Sequence, residues 1–463
     1  MTGDNEENRE SLSERRRRAW GVTSDDSGVL ARLASRAASS ELLRSGHPFA
    51  RVTRLDRWLV RKMLAAVGDP PVSIVLWNGE EASPAVADPV ARVVLHDRMA
   101  MLSLIKDPEL HFGDLYSSGR VELEGDLVHF LEVIYTSIVD NRSLGALRRF
   151  ILWLGHRRIR NSPERARDNI YHHYDLGNDF YRLWLDRAEM QYTCAYFPDP
   201  TMSLEEGQTA KLHHVCRKLR LQPGERVVEA GCGWGGLALF MARHYGVRVT
   251  AYNISRAQVE YARQRAKEEG LSDRVEYVLD DYRNITGEYD AFVSVGMLEH
   301  VGVRDYPVLG EVITRCLKPH GRALIHTIGR NRPGPMNAWI ERRIFPGACP
   351  PSLGQMMAIL EPGDFAVQDV ENLRLHYALT LRHWLDNFER QAERIEGMMD
   401  DAFVRAWRLY LAGSLAAFNS GQLQLFQVLF TPGRNNDLPW SRAHLYLHGE
   451  ARGETDTIRH EAG

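Results

Sequence analysis

From about residue 200 onward, short apolar runs alternate with stretches in which apolar residues recur every three or four positions. The runs at 226–229, 247–252, 275–279, 289–295 and 322–328 read as strands, and 235–244 and 255–269 as amphipathic helices between them. Alternation of this kind predicts a parallel α/β sheet. A helical segment is expected over 381–420, then a strand over 423–430. Upstream, Leu55, Trp58, Leu59, Met63 and Leu64 fall at helical spacing behind Thr53, a candidate N-cap. Residues 72–77 followed by Asn78-Gly79 read as a strand entering a tight hairpin turn. Residues 91–96 read as a second strand, with Asp97 capping a helix over 98–105.

These patterns divide the chain into a disordered tail (1–27), a small α+β domain (28–140), a basic helical linker (141–168), an α/β domain (169–447) and a C-terminal tail (448–463). The linker sets Leu144, Leu147, Phe150, Ile151, Leu154 and Ile159 among eight arginines. That pattern fits a helix lying on an anionic bilayer and equally a linker packed on the core. The run Arg15–Arg18 reads first as solvated tail and second as an anionic-lipid contact.

Composition narrows the class. The 463 residues are 44% apolar and 26% charged, with a formal net charge of -3. That balance argues against a nucleic-acid partner held by a global positive field. Five cysteines without close paired spacing point to no zinc site, no disulfide framework and a reducing cytoplasm. The first 21 residues contain no apolar core of a secretory signal, and no window approaches the roughly 18 apolar residues of a membrane span.

Three constellations carry chemistry. Residues 227–236 (VVEAGCGWGG) place a glycine turn, with Gly231, Gly233 and Gly236, between a strand and a helix. This is a ligand-approach loop of the dinucleotide type. The next strand end lacks the carboxylate that holds a dinucleotide ribose but offers Asn253 and Gln258. Asp280 or Asp281, with Tyr282, forms a candidate adenine contact, so an adenosyl group without a pyrophosphate is favoured. The second constellation is 171–180 (YHHYDLGNDF) followed by 191–197 (QYTCAYF). Here Phe180, Tyr181 and Trp184 fit a core, while His172, His173, Tyr174, Asp175 and Asn178 do so less readily. Cys194 reads as a buried hydrophobe or as a polar lining. The third is 294–302 (SVGMLEHVG), at a strand end where Glu299 and His300 suit proton handling. His326, in a neighbouring strand, faces the same rim if that strand is parallel. No spaced set of His, Cys and Asp supports a metal.

In this order, together with 343–347 (RIFPG) and 376–384 (HYALTLRHW), these blocks resemble the cyclopropane fatty acid synthase family, which includes the mycolic acid cyclopropane synthases. The likeness runs from about residue 70 to 447. It implies a Rossmann-like, S-adenosylmethionine-dependent methyltransferase domain behind a smaller N-terminal lipid-handling domain. It further implies a bicarbonate ion fixed by Cys194, Glu299, His326, the backbone at Ile328, and Tyr377. Cofactor positions carried by the resemblance are Tyr192, Thr193, Gly231, Asn253, Gln258 and Tyr282. The substrates implied are cis-unsaturated acyl chains of membrane phospholipids, reached by a cytoplasmic protein associated peripherally with the inner face of the membrane. A homodimer is the assembly considered. Asn253 stands where many relatives have Thr, and Leu298 and Cys349 are variable positions, which leaves ring closure open against a methyl-branched product. A soluble substrate and a silent lipid-binding protein are the further alternatives.

Overall fold

A computed structural model describes residues 51–83, 88–140 and 176–446. The expected tails, the linker 141–168 and the cluster 171–175 lie outside the described residues.

Thr53 starts helix α1 (Arg54–Ala66) through a capping box with Asp56, and Arg98 closes on Asp56 at 2.7 Å. Strands β1 (Val72–Val75) and β2 (Ala91–Leu95) follow, then α2 (Arg98–Lys106), where the Asp97 carboxylate accepts from the Ala100 amide as expected. Helix α3 (Pro108–Ser117), β3 (Val121–Gly125) and α4 (Leu127–Asp140) complete this part, whose sheet has the order β1-β2-β3. The hairpin expected at Asn78-Gly79 forms only in part. The chain does reverse there, but its return makes a single antiparallel bridge from Val75 to Glu81, and the regular partner of β1 is β2, in parallel. All four residues of β1 are buried, so it needs a full ladder, which β2 supplies.

The larger sheet has seven strands: β4 (Arg226–Ala230), β5 (Arg248–Asn253), β6 (Val275–Leu279), β7 (Tyr289–Val295), β8 (Leu317–Gly329), β9 (Phe365–Asn372) and β10 (Gln424–Pro432). Their order is β6-β5-β4-β7-β8-β10-β9. β4 to β8 are parallel, and β10 runs antiparallel to both β8 and β9. β4 to β8 form the parallel sheet expected from the alternation, in the Rossmann-like form that the resemblance implies. β8 starts earlier than the expected position 322, because its pairing with β7 skips from Leu317 to Arg322 and absorbs the intervening residues. β9 was not foreseen. It is an edge strand with one buried residue in eight, so its sequence shows no apolar alternation.

Helices α5 (Leu204–Lys218), α6 (Gly236–Tyr245), α7 (Arg256–Glu268) and α8 (Tyr306–Cys316) flank the sheet. The single helical segment expected over 381–420 is three pieces: α9 (Arg374–Arg390), a short helix Ala392–Met398 and α10 (Asp401–Asn419). Asp400 adopts an extended backbone and accepts from the Phe403 amide, restarting the helix as an N-cap. The smaller part is fastened to the larger. Asp114 on α3 accepts from the Trp339 indole at 3.1 Å and from Arg343 at 3.0 Å, while Arg405 on α10 donates to Tyr116 O at 2.7 Å. Gly113 makes this approach possible, since a Cβ there would sit 2.4 Å from the Trp339 ring.

Candidate functional site

The carboxyl ends of β4, β5, β6, β7 and β8 share one rim of the sheet, where open α/β folds bind ligands. After β4 the chain turns through residues 231–235 into α6, and the amides of Gly231 and Cys232 both donate to Tyr252 O. Gly233 has φ 52° with nothing within 4 Å of a built Cβ, so open space lies against its backbone. Asn253 ties this turn to the next strand end by donating to Gly233 O at 3.1 Å and to Gln258 at 2.9 Å. Trp234 donates to Asn178 at 2.8 Å, which gives Asn178 a clear structural task. Phe180, Tyr181 and Trp184 are wholly buried core aromatics. Asp281 caps the turn after β6 and pairs with Arg283 at 2.9 Å, beside the nearly buried Tyr282 ring.

Past the ends of β7 and β8, one cavity of about 1970 Å³ has Cys194, Glu299, His326, Ile328 and Tyr377 all in its wall, with Tyr192 and Thr193 beside them. Pairing of Val295 with His326 brings the two strand ends level, so the parallel arrangement puts His326 on the rim with Glu299. Glu299 follows β7 on a short helix, Leu298–Val301. Its Oε1 accepts from the Ile328 amide at 2.5 Å, while its Oε2 is buried without a partner among the described residues. Burial pushes this carboxyl up to about 7, partly offset by amide hydrogen bonds. Burial also lifts the Cys194 thiol, which donates to Ala195 O at 3.0 Å and stays protonated. His300 is in the same wall and is neutral, burial lowering it to about 4.

The loop carrying Tyr192, Thr193 and Cys194 is held from three sides. Gln208 donates to Thr193 O at 2.8 Å, Ala195 N donates to Thr380 at 3.0 Å, and the Tyr192 and Tyr410 hydroxyls meet at 2.8 Å. Lys211, buried on α5, hydrogen-bonds Thr193 at 3.0 Å and also Gln191. Burial, opposed by Asp186, Cys194 and Glu229, lowers that ammonium to about 8.

The sequence did not single out Gln427. In β10 it lies opposite His326, and its amide nitrogen is 3.0 Å from His326 Nδ1. Burial, then the charges of Lys211 and Lys218, hold the imidazole well below its usual pKa, so it is neutral. Gln427 holds Nδ1, and Nε2 is buried without a partner among the described residues. The site thus presents a buried imidazole nitrogen and a buried carboxyl group side by side in one wall. Gln427→Leu is expected to lower stability by about 1–3 kcal/mol, because Nδ1 loses its partner. Chemical denaturation checks this loss, and imidazole nitrogen-15 shifts report which ring nitrogen carries the proton with and without Gln427. A polar residue in an apolar run was the signal available; only the strand register shows what it faces.

Among the described residues no group of three or more His, Cys, Asp and Glu is arranged to hold a metal ion. The orphaned Glu299 Oε2 and His326 Nε2, beside the Cys194 thiol, fit a small oxyanion that can both accept and donate hydrogen bonds. The glycine turn with its open backbone fits an adenosyl ligand.

The profile of the mycolic acid cyclopropane synthetase family matches residues 161–428, and that of a domain of unknown function matches residues 59–141. A probable fatty acid methyltransferase of Pseudomonas putida is 35% identical over 389 residues, covering 81% of this chain and 96% of the relative. The cyclopropane-fatty-acyl-phospholipid synthase of Escherichia coli K12 is 42% identical over 271 residues, 58% of this chain and 69% of the relative. A solved mycolic acid cyclopropane synthase complexed with SAH and CTAB aligns with a TM-score of 0.54 at 29% identity, covering 57% of this chain and 97% of that one. The glycine turn and the polar set of Cys194, Glu299, His326, Ile328 and Tyr377 fall within the span matched by the family profile, and the chain belongs to the mycolic acid cyclopropane synthetase family as an S-adenosylmethionine-dependent methyltransferase.

Proposed function

We propose that this chain transfers the methyl group of S-adenosylmethionine to the cis double bond of an unsaturated acyl chain in a phospholipid and closes the cyclopropane ring. One observation carries the reading: the polar set of Cys194, Glu299, His326, Ile328 and Tyr377 lies in the wall of a cavity far larger than the roughly 300–1,000 Å³ of ordinary ligand pockets. Most of that wall is apolar and comes from both parts of the chain, including Met63, Ile74, Val93 and Ile134 from the smaller one. A long hydrocarbon chain suits such a space.

The residues divide the work. The turn at Gly231 and Gly233, with Asn253, Gln258, Asp281 and Tyr282 at the neighbouring strand ends, holds the adenosyl end, and Tyr192 and Thr193 approach from the cavity side. S-adenosylmethionine, when bound, supplies an electrophilic methyl group. An alkene is a weak nucleophile, so the cavity acts first by fixing the double bond in line and close. Aromatic faces then stabilise positive charge on the chain: Tyr377 lies within 5.9 Å of Trp384 and 4.6 Å of Phe418. Cys194, Glu299, His326, the Ile328 backbone and Tyr377 would hold bicarbonate, which supplies a base for the final proton. Burial of Glu299 and His326 keeps water from the cation.

Access from a membrane is supported by the smaller part. Leu55 and Trp58 on α1, with Met99, Leu102 and Ile105 on α2, are exposed, and the Lys62 ammonium lies 5.9 Å over the Trp58 ring. Apolar side chains with basic neighbours favour a bilayer interface. No helix among the described residues is long and apolar enough to cross a membrane.

A second reading keeps the methyl transfer without ring closure. It is favoured by the fatty acid methyltransferase of P. putida, which aligns over more of this chain than the E. coli synthase does. Incubation with S-adenosylmethionine and vesicles of cis-unsaturated phospholipid decides between them. Cyclopropane proton signals in the recovered acyl chains are the expected result; methyl-branched chains select the second reading, and unconsumed S-adenosylmethionine with every lipid refutes both.

A further inference from the structure

Arg330 follows β8 and lies in the wall of the cavity that holds Glu299 and His326. Its backbone is pinned, donating to Pro351 O at 2.9 Å, and its Nη1 donates to Pro335 O at 2.7 Å. Its Nε is shut off from water and has no partner among the described residues. Among the described residues no carboxylate pairs with it: Glu109 and the Cys349 thiol act on it only at a distance, and burial lowers its pKa. A guanidinium partly withdrawn from water without a counter-ion is held at a cost that an anion would relieve.

The rest of the wall points the same way. Among the described residues, the charged side chains lining the cavity are Lys62, Lys106, Arg330, Arg332 and Arg374 against Glu109 and Glu299. Of these cations, Lys62, Lys106 and Arg332 are exposed to water, and Arg374 is engaged by the carbonyls of Phe418 and Asn419 at the end of α10. Arg330 is the partly buried cation left with open donors. It lies two residues past Ile328, about 7 Å along extended chain. An anion on its guanidinium therefore shares the cavity with the reacting groups without displacing them. Arginine's planar fork matches phosphate oxygens in pairs.

We propose that Arg330 is an anion subsite that takes the phosphodiester of the acyl lipid, so that headgroup and double bond are held by one cavity. The subsite rests on the lipid reading above for its ligand but has its own test. The full-length protein is compared with Arg330→Gln and the conservative Arg330→Lys. In thermal melts, a short-chain phosphatidylglycerol raises the wild-type midpoint. That shift disappears in Arg330→Gln and returns in part in Arg330→Lys. A full shift in Arg330→Gln overturns the proposal. An equal, Arg330-dependent shift from inorganic phosphate alone makes the ligand a free anion and overturns the lipid assignment. For turnover, dioleoyl phosphatidylglycerol and dioleoylglycerol are presented in the same saturated vesicles. Arg330→Gln is expected to lose roughly tenfold or more in kcat/KM on the phospholipid relative to the uncharged lipid. Equal losses on both show a structural role and overturn the subsite. Absence of wild-type turnover on either lipid refutes the proposed function, and the melting result still decides whether Arg330 binds the phosphodiester.

Discussion

Glu299→Gln is expected to lower methyl-transfer turnover by about 10²–10⁴-fold while leaving the protein folded. The glutamine carbonyl can still accept from the Ile328 amide, so the local geometry survives. What is lost is a carboxyl that burial holds at about 7, able to give or receive a proton near neutrality. Stability should move the opposite way. The folded-state pKa is raised from its ordinary 4.5, so the wild type loses stability as pH rises from 4.5 through about 7, where the folded carboxyl ionises. The variant lacks that penalty. At pH 8 it should exceed the wild type by up to about 3 kcal/mol, and near pH 4 the two should agree. Denaturant titrations at both pH values, alongside S-adenosylmethionine consumption, provide the check. Retained activity would remove Glu299 from the reaction.

The second large effect lies away from the cavity. Lys218 is fully buried and pairs with Glu371 at 2.6 Å and Asp369 at 3.2 Å, while His214 reaches Glu371 at 2.7 Å. Lys218→Met should destabilise by about 3–5 kcal/mol, since two shielded carboxylates lose their ammonium. Burial alone would raise Glu371, but the His214 hydrogen bond and the Lys218 charge hold it at about 2. A lowered pKa means that this pairing contributes fully above the ordinary 4.5 and fades as pH falls toward 2. The variant should therefore show a shallower loss of stability over that acid range. A double variant, Lys218→Met with Glu371→Gln, should recover part of the deficit, because the buried charge is removed with its partner. Because Glu371 also pairs with Gln427 in the sheet, the network braces the strand that positions His326.

The central parallel strands β4 and β7 were legible because they are buried on both faces and bounded by turn residues, giving short apolar runs that helices separate. The rim positions of Glu299 and His326 followed from the same strand ends. The edge strand β9 and the buried cluster on α5 were not legible. Lys211, His214 and Lys218 look like the polar face of an ordinary amphipathic helix, and only β9 and the Tyr192 loop packed over them put them inside. Gln427 and Arg330 were missed for a related reason: their meaning depends on what pairs with them, or fails to, across long sequence separations. Asn178, read as awkward for a core, proved to anchor the glycine turn through Trp234.

That last contact gives the protein a built-in optical reporter. The Trp234 indole is nearly buried, directly follows Gly233, donates to Asn178 and lies 4.8 Å from the Tyr181 ring. Tyr181 in turn touches Trp184 and Trp407, so the turn that receives the ligand is coupled to a chain of chromophores through the core. Any reshaping of the turn on ligand arrival changes both the hydrogen bond and the ring packing of that indole. Ligand occupancy is therefore expected to register in the intrinsic emission of the protein, read by titrating S-adenosylmethionine with no label required.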